Sequence, residues 1–91
     1  MKITMVKKRL PNGEECRKCR EATKLLQQRG HWEKISKVVY FVNPDDPNDE
    51  GAKLAKQFGV AKAPFFIVEK DGDQPKVYRS VLKLMREVFA T

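Results

Sequence analysis

The chain has 91 residues, 41% of them hydrophobic and 34% charged, with a formal net charge of +7 at pH 7. That length suits one small domain over residues 1–91 with a single core, and the absence of a long apolar run excludes a helical membrane span. Two cysteines are too few for a secreted disulfide scaffold, and Met1 to Val6 carries no apolar leader, so a reducing cytoplasm is the expected location.

Ile3 and Met5, with Lys7 continuing the alternation against Thr4 and Val6, predict a short first strand, which Pro11-Asn12-Gly13 breaks. From Cys16 to Gln28 the residues Cys19, Ala22, Thr23, Leu25 and Leu26 recur at helical spacing, with Arg29 in the last turn and Gly30 as the residue that ends it. His31, a lone histidine in the following loop, reads as a surface residue, and Trp32 as a cover for the helix end. Val38 to Val42 is a continuous β-branched and aromatic run, expected of a strand buried on both faces in a parallel sheet and stopped at Asn43-Pro44. Asp45 to Asp49 is a turn-rich acidic stretch. Its last members cap a second helix carrying Ala52, Leu54, Ala55 and Phe58, closed by Gly59. Pro64 opens a strand from Phe65 to Val68, Asp71-Gly72 marks a hairpin turn, and Lys76 to Arg79 returns antiparallel. Val81, Leu84, Met85 and Val88 give a final helix its apolar stripe, with Leu82 and Phe89 widening it. The predicted order is βαβαββα, an α/β chain.

The chemistry concentrates at Cys16-Arg17-Lys18-Cys19, which uses both cysteines and sets them at the start of the first helix. There the first sulfur meets unpaired backbone N–H groups and the positive end of the helix dipole, both of which stabilise a thiolate. The second sulfur lies one turn inward on nearly the same face, within reach of a disulfide. Cys16 is therefore the expected nucleophile and Cys19 the resolving thiol. Arg17 and Lys18 either tune the thiolate and meet an acidic substrate or form an ordinary solvated first turn. Lys7, Lys8, Arg9 and Arg20 add to the local positive charge, which Glu14 and Glu15 oppose.

Two other readings compete with a redox pair. Tetrahedral zinc needs four ligands, and beyond the two sulfurs the chain offers only His31 and carboxylates, so a metal site requires two copies to share their cysteine pairs. A non-catalytic binding module would use the basic surface for nucleic acid or an acidic protein. The cations are scattered along the chain without an aromatic-basic stacking motif or a helix-turn-helix pattern, which argues against nucleic acid.

With Cys16-Arg17-Lys18-Cys19 at the first strand-to-helix junction and Val60-Ala61-Lys62-Ala63-Pro64 heading the strand Phe65-Phe66-Ile67-Val68, nearly the whole chain resembles the thioredoxin-like superfamily in its minimal, glutaredoxin-like form. The resemblance implies a three-layer sandwich around a mixed four-stranded sheet. It also implies a cis Ala63-Pro64 peptide facing the cysteines, where the residue before proline turns its backbone toward the substrate and pairs with it. Ala63, Pro64, Arg17 and Lys18 are then the expected substrate-binding residues around the catalytic Cys16 and Cys19. The implied activity is that of a monomeric thiol–disulfide oxidoreductase acting on a protein disulfide. Its electrons would come from a thioredoxin-reductase-like protein or from glutathione, and no bound cofactor or metal is expected. Arg17-Lys18 stands where the family carries Gly-Pro or Pro-Tyr. Arg79-Ser80-Val81 stands where glutaredoxins carry the paired glycines and aspartate that hold glutathione.

Overall fold

The computed structural model describes residues 1–43 and 45–90, so the strand stop expected at Pro44 lies outside the described residues. In chain order the elements are β1 (Lys2–Lys8), α1 (Arg17–Gln28), β2 (Lys37–Phe41), α2 (Glu50–Phe58), β3 (Phe65–Glu69), β4 (Lys76–Tyr78) and α3 (Val81–Leu84). A 3-10 turn, Trp32–Lys34, links α1 to β2, and α3 continues as a π-helical turn over Met85–Phe89. Among the described residues no helix is long and apolar enough to cross a membrane.

The sheet is mixed, in the order β2-β1-β3-β4. β1 runs parallel to β2 and antiparallel to β3, and β3 runs antiparallel to β4. Because side chains alternate across a strand, each central strand feeds two cores. Ile3 and Met5 of β1 join Phe66 and Val68 of β3 against Ala22 and Leu26 of α1 and Leu84 and Met85 at the chain's end. Val6, Phe65 and Ile67 face the other way, with Val39 and Phe41, against Ala52 and Ala55 of α2. The helices thus cover both faces of the sheet.

The Val38–Val42 run departs from its expected place. It pairs in parallel with β1, as expected, but at the edge of the sheet, and it is not buried on both faces. Val39 and Phe41 are buried under α2, whereas Val38 and Tyr40 on the other face are half-buried and Val42 is 49% exposed. Strand content alone specified β structure, and the partner on its outer side was never supplied. Leu82 also departs, lying 61% exposed beside the buried Leu84 and Met85.

His31 is buried, contrary to its expected surface position. The helix end explains it. Gly30 takes a left-handed φ of 73°, its N–H donates to the Gln27 carbonyl at 3.1 Å, and the His31 N–H donates to the Leu26 carbonyl at 2.8 Å. This reversal turns the residue after the glycine back over the last helical turn. The His31 ring stacks on Phe89 at a centroid distance of 4.7 Å. Burial, together with the charges of Lys34 and Arg29, holds its pKa below the ordinary histidine value. Gly59 ends α2 by the same device at φ 67°, placing Val60 in the core.

At the front of α2, Asp49 accepts from the Ala52 N–H through Oδ1 at 2.9 Å and from the Val42 and Asn43 N–H groups through Oδ2, both at 2.8 Å. One carboxylate thereby ties the end of β2 to the helix. Gly51 lets the two approach, since a Cβ there would lie 2.6 Å from the Tyr40 carbonyl oxygen and 2.7 Å from the Cα and Cβ of Phe41. Gly51→Ala is expected to destabilise the fold by about 1–3 kcal/mol, overriding the roughly 1 kcal/mol that alanine otherwise brings to a helix. A guanidinium unfolding midpoint that rises in this variant would refute the close-packing account.

Candidate functional site

The site is assembled at the C-terminal end of β1. The segment after β1 makes a tight excursion in which Gly13 N–H donates to the Leu10 carbonyl at 2.9 Å and Glu14 N–H to Asn12 Oδ1 at 3.0 Å. It then returns to bridge Arg9 with Glu15. The return places Cys16 beside β1, where its N–H donates to the Lys8 carbonyl at 2.9 Å. Cys16 has extended φ and ψ of −65° and 153° and serves as the N-cap of α1, its Sγ accepting from the Cys19 N–H at 3.4 Å.

The two cysteines are not bonded to each other, and they are unequally buried. Cys16 is half-buried and Cys19 fully buried. Their sulfurs lie 2.6 Å apart, so the pair is placed to form a disulfide. Cys19 Sγ also accepts the Lys8 N–H at 3.2 Å. Burial, then the hydrogen bond with Cys16 and the charges of Cys16 and Glu15, push the Cys19 thiol up to about 12, against the opposing pull of the Lys8 N–H. The two sulfurs thus differ in access, the outer partly accessible and the inner enclosed and held as a thiol.

Below the pair lies a polar cluster that the sequence did not announce. Lys7, buried on the α1 side of the sheet, donates from Nζ to Glu15 Oε1 at 3.1 Å, and the Tyr40 hydroxyl donates to the same oxygen at 3.0 Å. The Lys7 ammonium also lies 5.1 Å from the centre of the Trp32 ring, and the Arg9 guanidinium lies 4.0 Å above the Tyr40 ring. Burial alone would raise the Glu15 carboxyl. The hydrogen bonds from Lys7 and Tyr40 and the charges of Lys7 and Arg9 outweigh it and hold the pKa below its ordinary value. Lys7 follows Ile3 and Met5 at period two, and that spacing was the available signal that it faces inward.

The Ala63-Pro64 peptide is cis. The strand register puts it at the same end of the sheet as the cysteines, because Phe65 pairs with Val6, two residues before the Lys8 that contacts both cysteines. Ala63 and Pro64 line a groove of about 470 Å³ that they share with Lys18 of the cysteine loop. Arg17, expected alongside Lys18, does not line that groove. Its side chain is 84% exposed and paired with Glu21 at 3.0 Å, as an i,i+4 pair on the outer face of α1. Lys62 and Arg79, which the sequence did not single out, line the groove instead. No protein-family model matches the chain, and no curated protein matches it.

Proposed function

We propose that the chain is a thiol–disulfide oxidoreductase of thioredoxin-like, glutaredoxin-like topology, with Cys16 as nucleophile and Cys19 as resolving thiol. The observation that carries this reading is the unequal sulfur pair at the α1 N-cap, one accessible and one buried, 2.6 Å apart. The βαβαββα order, the helices on both faces of the sheet and the cis Ala63-Pro64 peptide at the same sheet end support it.

In the first step the Cys16 thiolate attacks a sulfur of the substrate disulfide. A mixed disulfide forms, and the other substrate sulfur leaves as a thiolate with the bond's electron pair. Cys16 then no longer offers Cys19 a hydrogen bond or a charge, which removes two of the four influences that keep Cys19 protonated and leaves burial and the Glu15 charge, while the Lys8 N–H continues to favour its anion. Cys19 loses its proton to solvent and attacks Cys16, releasing the second substrate thiolate. The substrate is reduced by two electrons, and the protein is left with a Cys16–Cys19 disulfide for an external donor to reduce. That donor is a reductase or a small thiol, and the setting is a reducing compartment such as the cytoplasm.

The test is stoichiometric. Reduced protein mixed with a disulfide-bonded test protein should lose two alkylatable thiols for each substrate disulfide reduced. Substrate that stays oxidised, with both cysteines still alkylatable, would refute the reading.

A further inference from the structure

We propose that the groove beside the cysteine pair selects disulfides flanked by acidic residues in an extended polypeptide, an inference that rests on the thiol–disulfide reading above. Three cations line this groove, Lys18 from α1, Lys62 from the segment after α2, and Arg79 from the segment after β4, and no carboxylate among the described residues lines it. None of the three takes part in an ion pair among the described residues, whereas Lys7, Arg17, Lys37 and Lys83 are each matched with a glutamate. Of the acids around the cysteine pair, Glu15 is committed to Lys7 and Tyr40 and Glu21 to Arg17, and Glu14 is exposed and does not line the groove. The groove therefore presents positive charge that its own surroundings leave unneutralised, and acidic side chains of a substrate complement it.

The form of the groove favours a chain over a small anion. Its charges come from three separate segments, and a volume of about 470 Å³ exceeds what one carboxylate or phosphate fills. The cis Ala63-Pro64 peptide is part of its lining. Strand pairing between β3 and β1 starts at Phe65, so Ala63 lies beyond that ladder, and none of the turn, loop or cap hydrogen bonds among the described residues uses it. An extended segment laid there pairs with the Ala63 backbone and carries its flanking side chains past Lys62 and Arg79. The overall charge of +7 adds long-range steering of acidic partners.

The chemistry on such a substrate is the exchange already described. Cys16 attacks the peptide's sulfur, the bond to the second sulfur breaks with its electron pair leaving as thiolate, and Cys19 later releases the peptide thiol. The experiment uses the reduced full chain and short peptides whose single cysteine is disulfide-bonded to thionitrobenzoate, with glutamates or glutamines on both sides. Release of the coloured thionitrobenzoate reports attack. The glutamate peptide should react at least about tenfold faster at low ionic strength, and the gap should narrow as salt is added.

In the double variant Lys62→Glu, Arg79→Glu the ratio should fall to one or invert. Both side chains are exposed and outside the core, so the fold is expected to persist, checked by circular dichroism. The double reversal Lys2→Glu, Lys70→Glu, at the start of β1 and just after β3, away from the groove, removes as much positive charge, and it should keep the native ratio. Equal rates for the two peptides, or a preference that survives the double reversal, overturn the groove assignment while leaving the exchange chemistry standing. A glutathione–thionitrobenzoate disulfide that matches the glutamate peptide and loses as much on reversal overturns the polypeptide assignment, because a tripeptide's carboxylates then suffice. If neither peptide is attacked, the thiol–disulfide reading fails and takes this inference with it.

Discussion

Cys19→Ser should convert the protein into a covalent trap, and Cys16→Ser should leave it inert. Both variants lose multiple-turnover disulfide reduction, by at least about a hundredfold given what loss of a nucleophile costs enzymes of this kind. They differ in what accumulates. In Cys19→Ser the accessible Cys16 still attacks, but no second sulfur is present to displace the substrate, so the mixed disulfide persists. In Cys16→Ser the remaining thiol is fully buried and still raised by that burial, both of which oppose its direct attack on a bulky substrate. Burial is the first of the causes that raise Cys19, and it remains when Cys16 is replaced. Mass spectrometry of adducts under non-reducing conditions reads the asymmetry and identifies the partner. Equal trapping by both variants would overturn the assignment of roles. Stoichiometric zinc in the purified protein, released by either substitution, would favour the shared-metal alternative over the redox one.

The parts of this site that were legible in the sequence are those set by local rules. The spacing of Cys16 and Cys19, the helical periodicity after them, the glycines that end α1 and α2 and the turn residues before Glu50 each act within a few residues, and each lies where its pattern indicated. Features that depend on which elements become neighbours were less legible. Val38–Val42 carries the composition of a central strand, yet strand order puts it at an edge, where Tyr40 reaches the Glu15 carboxylate. His31 is polar and alone in its loop. The reversal at Gly30 and the arrival of Phe89 from the far end of the chain bury it nonetheless. Arg17 and Lys18 are adjacent cations of the same local charge. Successive positions of a helix point about 100° apart, which sends Lys18 to the groove and Arg17 to Glu21. Lys62 and Arg79 meet across the groove only because β3 and β4 pair, and neither residue carries a local mark of that meeting.

The cluster of Lys7, Glu15 and Tyr40 leads to an asymmetric stability prediction. The Lys7 side chain is 5% exposed and that of Glu15 is 24% exposed, so removing one partner does not mirror removing the other. Glu15→Ala leaves a buried ammonium without its carboxylate, beside the Trp32 ring and the Tyr40 hydroxyl, and stranding a charge in that way costs about 3–5 kcal/mol. Lys7→Met replaces the long side chain by an apolar one of similar reach. The remaining carboxylate keeps the Tyr40 hydroxyl and some solvent, so this change should cost less than about 1.5 kcal/mol. Urea or guanidinium titrations of the three proteins measure the difference, and a Lys7→Met variant as damaged as Glu15→Ala would show that the pair is not governed by desolvation. The pH dependence supplies a second check. The folded-state carboxyl of Glu15 titrates below its ordinary 4.5, so its contribution is fully present above that value and lost as pH falls through the lower folded value. The stability gap between the native protein and Glu15→Ala should therefore hold at neutral pH and shrink in acid. Because Glu15 is bonded to Cys16 in the chain, the same acid titration loosens the segment that holds the nucleophile against β1. Trapping by Cys19→Ser should fall over that acid range faster in the presence of Glu15 than in a Glu15→Gln background, whose neutral amide oxygen accepts from Lys7 and Tyr40 without titrating.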